Sequence, residues 1–143
     1  MNILNTQLAM ISLFVYGSLR PGQPNNYRLS NGSIHKGTFK TRDQYYMIGL
    51  KSGAYPYVTD EPLDSLQDPV NITGDLYEVD SGTITWLDML EAHYERKTVT
   101  LDNGLEAQMY ILLDPTMKAE IRKHFNRGWT RRFKTVPSGN WNA

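Results

Sequence analysis

An apolar run from Ile11 to Tyr16 stops at Gly17-Ser18. It empties into a segment that carries Pro21, Gly22, Pro24, Asn25, Asn26, Asn31 and Gly32 before position 34. The run is short, rich in β-formers and nearly continuous in apolarity, which predicts a central strand. The segment after it, residues 17–33, predicts a long loop with one helical turn near Asn26–Ser30. Loops of that length inside a small domain are functional or disordered, and the abutting strand favours a functional one. A buried strand that ends in such a turn can aim several backbone N–H groups at one point. That geometry suits an anion or a developing oxyanion.

The rest of the chain bounds what such a site can be. At 143 residues it predicts one domain, 1–143, with residues 1–10 a possible extension and 128–143 a tail. Formal net charge is zero, so nothing argues for long-range attraction to nucleic acid or anionic lipid. No cysteine is present, which excludes disulfides, thiolate catalysis and Cys-ligated metal. No apolar stretch approaches the roughly 20 residues needed to cross a bilayer, and residues 1–12 do not read as a signal peptide. A cytoplasmic protein is the default expectation. Nine tyrosines and three tryptophans are generous for this length and point to a β-rich core or to a binding cavity.

Strand patterns recur at Ile34 to Lys40, Gln44 to Leu50, Tyr57 to Thr59, Val70 to Val79, Arg96 to Leu101 and Leu105 to Leu113. Gly74 inside one of them suggests a bulge or a close backbone approach. Asp102-Asn103-Gly104 predicts a hairpin turn. A helix is expected from Ile84 to about Tyr94, capped by Thr83 or Ser81. Another starts at Asp114-Pro115, with Ile121, Phe125 and Trp129 on one face. Short strands with two or three helices predict an α+β fold built on a small, mostly antiparallel or mixed β-barrel, closed or nearly closed.

One carboxylate breaks the helical pattern. At about 100° per residue, with Ile84 at zero, Leu87 falls near ~300° and Glu91 near ~340°, inside the apolar stripe. A buried carboxylate without a partner is costly, and its pKa rises. That suits a group that takes and then returns a proton near neutrality. The periodicity equally allows Glu91 to lie where the stripe runs out, reaching solvent or pairing with Arg96. His35, His93 and His124 lack ligand spacing and read as isolated surface histidines. Residues 17–22 lack the Gly-Lys-Ser/Thr step of a P-loop. No nucleophile-elbow word surrounds Ser18. Neither a metal nor a cofactor is therefore expected.

Tyr16-Gly17-Ser18-Leu19 followed by Gly22-Gln23-Pro24-Asn25 resembles the signature of the γ-glutamylcyclotransferase superfamily, within it the γ-glutamylamine cyclotransferase branch. Further words follow in the family's order. Gly53-Ala54-Tyr55-Pro56 resembles its Tyr-Pro turn, and Val70 to Asp80 its Val-x-Gly-Glu-Leu-Tyr-x-Val strand. Leu87-Asp88-Met89-Leu90-Glu91 with Tyr94-Glu95-Arg96 resembles its Leu-Asp-x-x-Glu helix and Tyr-x-Arg strand entry. Pro137 to Trp141 resembles a common Gly-Asp-Trp ending. Only Ala92 and His93 separate Glu91 from Tyr94, fewer residues than the family usually has.

The resemblance implies a cyclotransferase that closes a γ-glutamyl group into 5-oxoproline and releases an amine by intramolecular aminolysis. It implies Glu91 as the catalytic residue, with Tyr16, Gly17, Ser18, Leu19, Tyr55 and Tyr94 around the substrate. Two roles are open to Tyr16: a donor to the substrate carboxylate, or a packed core tyrosine. The partner expected is a small γ-glutamyl molecule, with no membrane and with the chain a monomer or weak dimer. A non-catalytic ligand-binding module on the same fold is the alternative. A third reading rests on Lys118, Arg122, Lys123, Arg127, Arg131, Arg132 and Lys134, interleaved with aromatics as in a nucleic-acid surface. The zero net charge weighs against it and favours a solvated helix face.

Overall fold

The computed structural model describes residues 10–29, 32–128 and 131–141. Seven strands form one mixed sheet: β1 Met10–Val15, β2 Ile34–Leu50, β3 Pro56–Thr59, β4 Val70–Asp80, β5 Tyr94–Thr100, β6 Glu106–Leu112 and β7 Phe133–Thr135. The order across it is β3-β2-β4-β1-β6-β5, with β7 on β2. Every pairing is antiparallel except β1 with β6. Two helices, α1 Ser81–Leu90 and α2 Pro115–Asn126, and a 3-10 turn at Asn26–Leu29 complete the fold. The α+β class stands, but the sheet is not closed. A single bridge, Thr41 to Leu101, and the Asp102 N–H to the Lys40 carbonyl tie its curled ends together.

β1 lies between β4 and β6, as its apolarity requires. Leu13 and Val15 face the core under α1 with Ile84 and Leu87, while Phe14 and Tyr16 face the opposite core with Met47, Ile72 and Met109. A third cluster packs α2, through Ile121, onto Ile48, Tyr57, Leu112 and Phe133. Gly74 marks a close approach rather than a bulge. It pairs in register with Phe39, and a Cβ there would lie 2.8 Å from the Phe14 ring.

Four expectations are corrected. The two strands expected at 34–40 and 44–50 are one, because the polar residues between them bulge without breaking the ladder. Thr41 Oγ1 accepts from the Ile72 N–H (2.9 Å) and donates to the Asp43 carbonyl (2.7 Å), filling the gap. The cap of α1 is Asp80, whose carboxylate accepts from the Thr83 N–H at 2.7 Å. That helix stops at Leu90, so Glu91 is its C-cap and Tyr94 begins a strand. The tail contributes β7, and Trp141 is only 3% exposed in the core. Trp129, expected on the face of α2, lies outside the described residues.

The basic segment is solvated over most of its length, with Lys123, Arg127, Arg131, Arg132 and Lys134 exposed, while its inner cations meet acids. Lys118 is buried and bonds Asp60 at 2.7 Å, and Arg122 bonds Glu61 at 2.9 Å. The acidic loop after β3 thus neutralises the inner cations of α2. Lys134 lies over the Trp141 ring. Among the described residues no helix is long and apolar enough to cross a membrane.

Candidate active site

A cavity of about 600 Å³ opens where β1 ends. Tyr16, Gly17, Ser18, Leu19, Tyr55, Glu91 and Tyr94 all line it, so the structure brings together every residue that the resemblance implied around the substrate. They come from four places in the chain: the β1 exit, the turn before β3, the end of α1 and the start of β5.

The β1 exit is held in shape by its own loop. The Arg20 N–H bonds the Gly17 carbonyl at 3.0 Å, and the Asn25 N–H bonds the Ser18 carbonyl at 2.9 Å. Asn25 Nδ2 donates to Ser18 Oγ (2.9 Å), and Asn26 Nδ2 donates to the Leu19 carbonyl (2.8 Å). The carbonyls of the turn are therefore occupied from outside. Among the described residues no acceptor takes the N–H groups of Gly17, Ser18 or Leu19. Gly17 is required by a close approach: a Cβ would lie 2.6 Å from Cδ of Pro56.

Behind the turn, Arg20 fastens it to the sheet and to the C-terminal segment. Its Nε donates to Asp75 (2.7 Å) and its Nη1 to Asn140 Oδ1 (2.7 Å) and the Trp141 carbonyl (3.1 Å). Asp75 also bonds His35 (2.9 Å) and accepts from Thr38 (2.8 Å), so His35 is not an isolated surface residue. Burial raises the Asp75 pKa, but the bonds from His35, Arg20 and Thr38 outweigh it and hold the carboxyl below the usual range.

Glu91 stands opposite. Its N–H closes α1 onto the Leu87 carbonyl, and its own carbonyl accepts from the Tyr94 N–H at 2.9 Å. That tight turn accommodates the short spacing and still brings Tyr94 to the cavity wall. Among the described residues no group donates a hydrogen bond to the Glu91 carboxylate. Arg96 bonds Asp88 instead (2.8 Å), together with the Tyr110 hydroxyl (2.7 Å). Burial pushes the Glu91 pKa above the ordinary glutamate value, and the Arg28 guanidinium partly opposes the rise.

Phenols make up much of the remaining wall. Tyr16, Tyr55, Tyr57, Tyr94 and Tyr110 all line the cavity, so the tyrosine excess serves the cavity as well as the core. Burial, with the Glu91 charge as a further cause, pushes Tyr16, Tyr94 and Tyr110 up. They stay neutral donors. Tyr94 stacks on Tyr57 at 6.0 Å, and Tyr55 meets Tyr57 edge-on at 5.5 Å. The Tyr16 hydroxyl donates to the Tyr110 carbonyl at 2.7 Å, which ties β1 to β6 and directs its proton away from any ligand.

Sequence reasoning missed Tyr57, Tyr110, Asn25 and Arg28 as wall residues. Alternation along β3 and β6 marked the first two only as strand positions. Asn25 stood in a quoted motif without a role. No periodicity marks Arg28.

The γ-glutamyl cyclotransferase, AIG2-like family model matches residues 13–143. The chain belongs to that family. A Methanocaldococcus jannaschii protein named for γ-glutamylcyclotransferase activity is 36% identical over 108 residues, which cover 72% of this chain and 83% of that one. The γ-glutamylaminecyclotransferase A of Danio rerio is 30% identical over 98 residues, 64% of this chain and 58% of its own length. Among solved structures, a mouse AIG2-like protein superposes with a TM-score of 0.60 at 22% identity, covering 73% of this chain and 78% of that one. An uncharacterised Pyrococcus horikoshii protein gives 0.63 at 20%, covering 92% and 89%. These two likenesses are of fold. Membership makes the protein an enzyme of the γ-glutamyl cyclotransferase type.

Proposed function

We propose that the protein converts a γ-glutamyl amine or γ-glutamyl amino acid to 5-oxoproline and a free amine. The observation that carries this reading is the presence in one cavity of a half-buried Glu91 carboxylate and three N–H groups of one turn, none with a hydrogen-bond partner among the described residues. In the reaction the substrate's α-nitrogen attacks its own γ-carbonyl carbon. A carbon–nitrogen bond forms, the lactam ring closes, and the original amide carbon–nitrogen bond breaks. The α-ammonium ion gives up two protons on the way to the lactam N–H, and the departing amine takes up two to leave as an ammonium ion.

Glu91 relays protons between these two nitrogens, accepting as carboxylate and donating as carboxylic acid. Its raised pKa brings the two forms closer in energy near neutrality. The N–H groups of Gly17, Ser18 and Leu19 receive the negative oxygen of the tetrahedral intermediate without having to reorganise. The tyrosine wall holds the chain folded back on itself, which is the proximity that ring closure needs. The cavity's volume of about 600 Å³ leaves room beyond the glutamyl group for the leaving amine.

The test is a product assay. The protein and Glu91→Gln are incubated with γ-glutamyl-ε-lysine, a γ-glutamyl-α-amino acid and glutathione, and 5-oxoproline is quantified. Release by the wild type alone is expected. No release from any of the three by folded protein would favour a ligand-binding module on the same fold.

A further inference from the structure

We propose that Arg28 is the residue that binds the α-carboxylate of the substrate, so that the site selects γ-glutamyl compounds whose α-carboxylate is free. This rests on the cyclotransferase reading and extends it. The sequence left Tyr16 as one option for that role, but its hydroxyl donates to the Tyr110 carbonyl. With the Gly17, Ser18 and Leu19 N–H groups given to the oxyanion in this reading, a cationic donor is left for the carboxylate. Arg28 lines the cavity at the end of the same loop that presents Gly17, Ser18 and Leu19.

Its guanidinium is preorganised. Cζ lies 5.1 Å from the centre of the Tyr27 ring and 5.1 Å from that of Trp86. Nε donates to Asn25 Oδ1 at 3.3 Å. Asn25 in turn fixes Ser18. Two aromatic faces and an amide thus orient the group while both Nη nitrogens stay without a carboxylate partner among the described residues. A planar fork held in this way suits bidentate capture of a carboxylate.

Placement decides between the cavity's two arginines. In the substrate the α-nitrogen and the α-carboxylate share one carbon. If the nitrogen faces Glu91, the carboxylate on the same carbon also lies near Glu91. Arg28 is the cation that acts on Glu91, whereas Arg132 acts on Tyr57 and lies against Phe133. Arg28 therefore takes the α-carboxylate, and Arg132 serves as the comparison cation in the same cavity. Trp86 and Tyr27 are 44% and 63% exposed, so the aromatic clamp is accessible from the mouth.

The experiment compares γ-glutamyl-ε-lysine with its α-carboxamide, in wild type, Arg28→Gln, Arg28→Lys and Arg132→Gln. Arg28→Gln is expected to lower kcat/KM for the acid by about 10- to 100-fold, mostly through KM, the size of a lost hydrogen-bonded charge contact. The carboxamide should lose less than about threefold, and Arg28→Lys should recover part of the loss. Equal losses on both substrates would overturn the proposal, as would no loss on either, or a loss of discrimination in Arg132→Gln instead. If wild type forms neither lactam, the cyclotransferase reading fails separately. Calorimetry with 5-oxoproline and 2-pyrrolidinone then decides the subsite. Preference for 5-oxoproline that disappears in Arg28→Gln supports it, and an unchanged preference or none overturns it.

Discussion

One loop carries two arginines, Arg20 and Arg28, and each meets a carboxylate under opposite conditions. Asp75 closes an ion pair with Arg20 at 2.7 Å and gathers His35 and Thr38 as further partners. Glu91 faces Arg28 without an ion pair and without a donor among the described residues. Burial penalises both carboxylates, yet the Asp75 pKa falls and the Glu91 pKa rises. What separates the two carboxylates here is therefore the supply of donors, not burial. Asp75 is outside the main cavity and anchors the loop from behind, while Glu91 lines that cavity with no hydrogen-bond donor among the described residues.

The sharpest way to break this contrast is to remove the Glu91 proton relay. Glu91→Gln is expected to reduce 5-oxoproline formation by about 10²- to 10⁴-fold, the span of a lost general base, with a folded protein by circular dichroism. Asp75→Asn should instead act on stability. It leaves Arg20, whose side chain is 13% exposed, without its anion. A loss of about 3 kcal/mol is expected in urea unfolding, and the acid limb of its residual pH–rate profile should stay in place. Gly17→Ala drives a methyl group into Pro56 and displaces the turn. It should cost about 1–3 kcal/mol of stability, as overpacking does, and should lower kcat more than it raises KM.

The smallest effect tests the signs. Asp75, with a depressed pKa, contributes stability that is present above its unfolded value and is lost as pH falls through its folded value. Glu91 has the reverse sign. Its folded pKa lies above 4.5, so the folded state binds more protons between that value and the raised one, and stability falls as pH rises through the window. Glu91→Gln should therefore raise Tm slightly at neutral pH, with the gain vanishing below about pH 4. A Tm gain that persisted in acid would show that the carboxylate is not strained by burial.

Much of the fold was legible wherever local chemistry decides it. Asp114-Pro115 capped a helix as read, with the Asp114 carboxylate accepting from the Thr116 N–H at 3.1 Å. The Asp102-Asn103-Gly104 turn joined two strands, closed by the Gly104 N–H on the Leu101 carbonyl. The reading failed where partners were distant. Thr41-Arg42-Asp43 read as a break because a bulge is filled by groups from β4, unseen in the local pattern. The helix expected to run to about Tyr94 ends at Leu90, which is 49% exposed. Glu91 nonetheless reached the cavity, because its place follows from the buried Leu87 one turn earlier.

By itself the sequence determined the β1 strand, the turn that follows it, a helix across Ile84 and Leu87 and the family these words belong to. Each rests on neighbours a few residues apart, and such contacts are written in the order of the chain. Tertiary structure alone decided that Arg20 would be held by Asp75 and Asn140, and that the Tyr16 hydroxyl would turn to the Tyr110 carbonyl. It also left Arg28 open beside Glu91. The contacts made by Arg20 and Tyr16 join positions 55 to 120 residues apart. They depend on which strand lies next to which, and no local period encodes that.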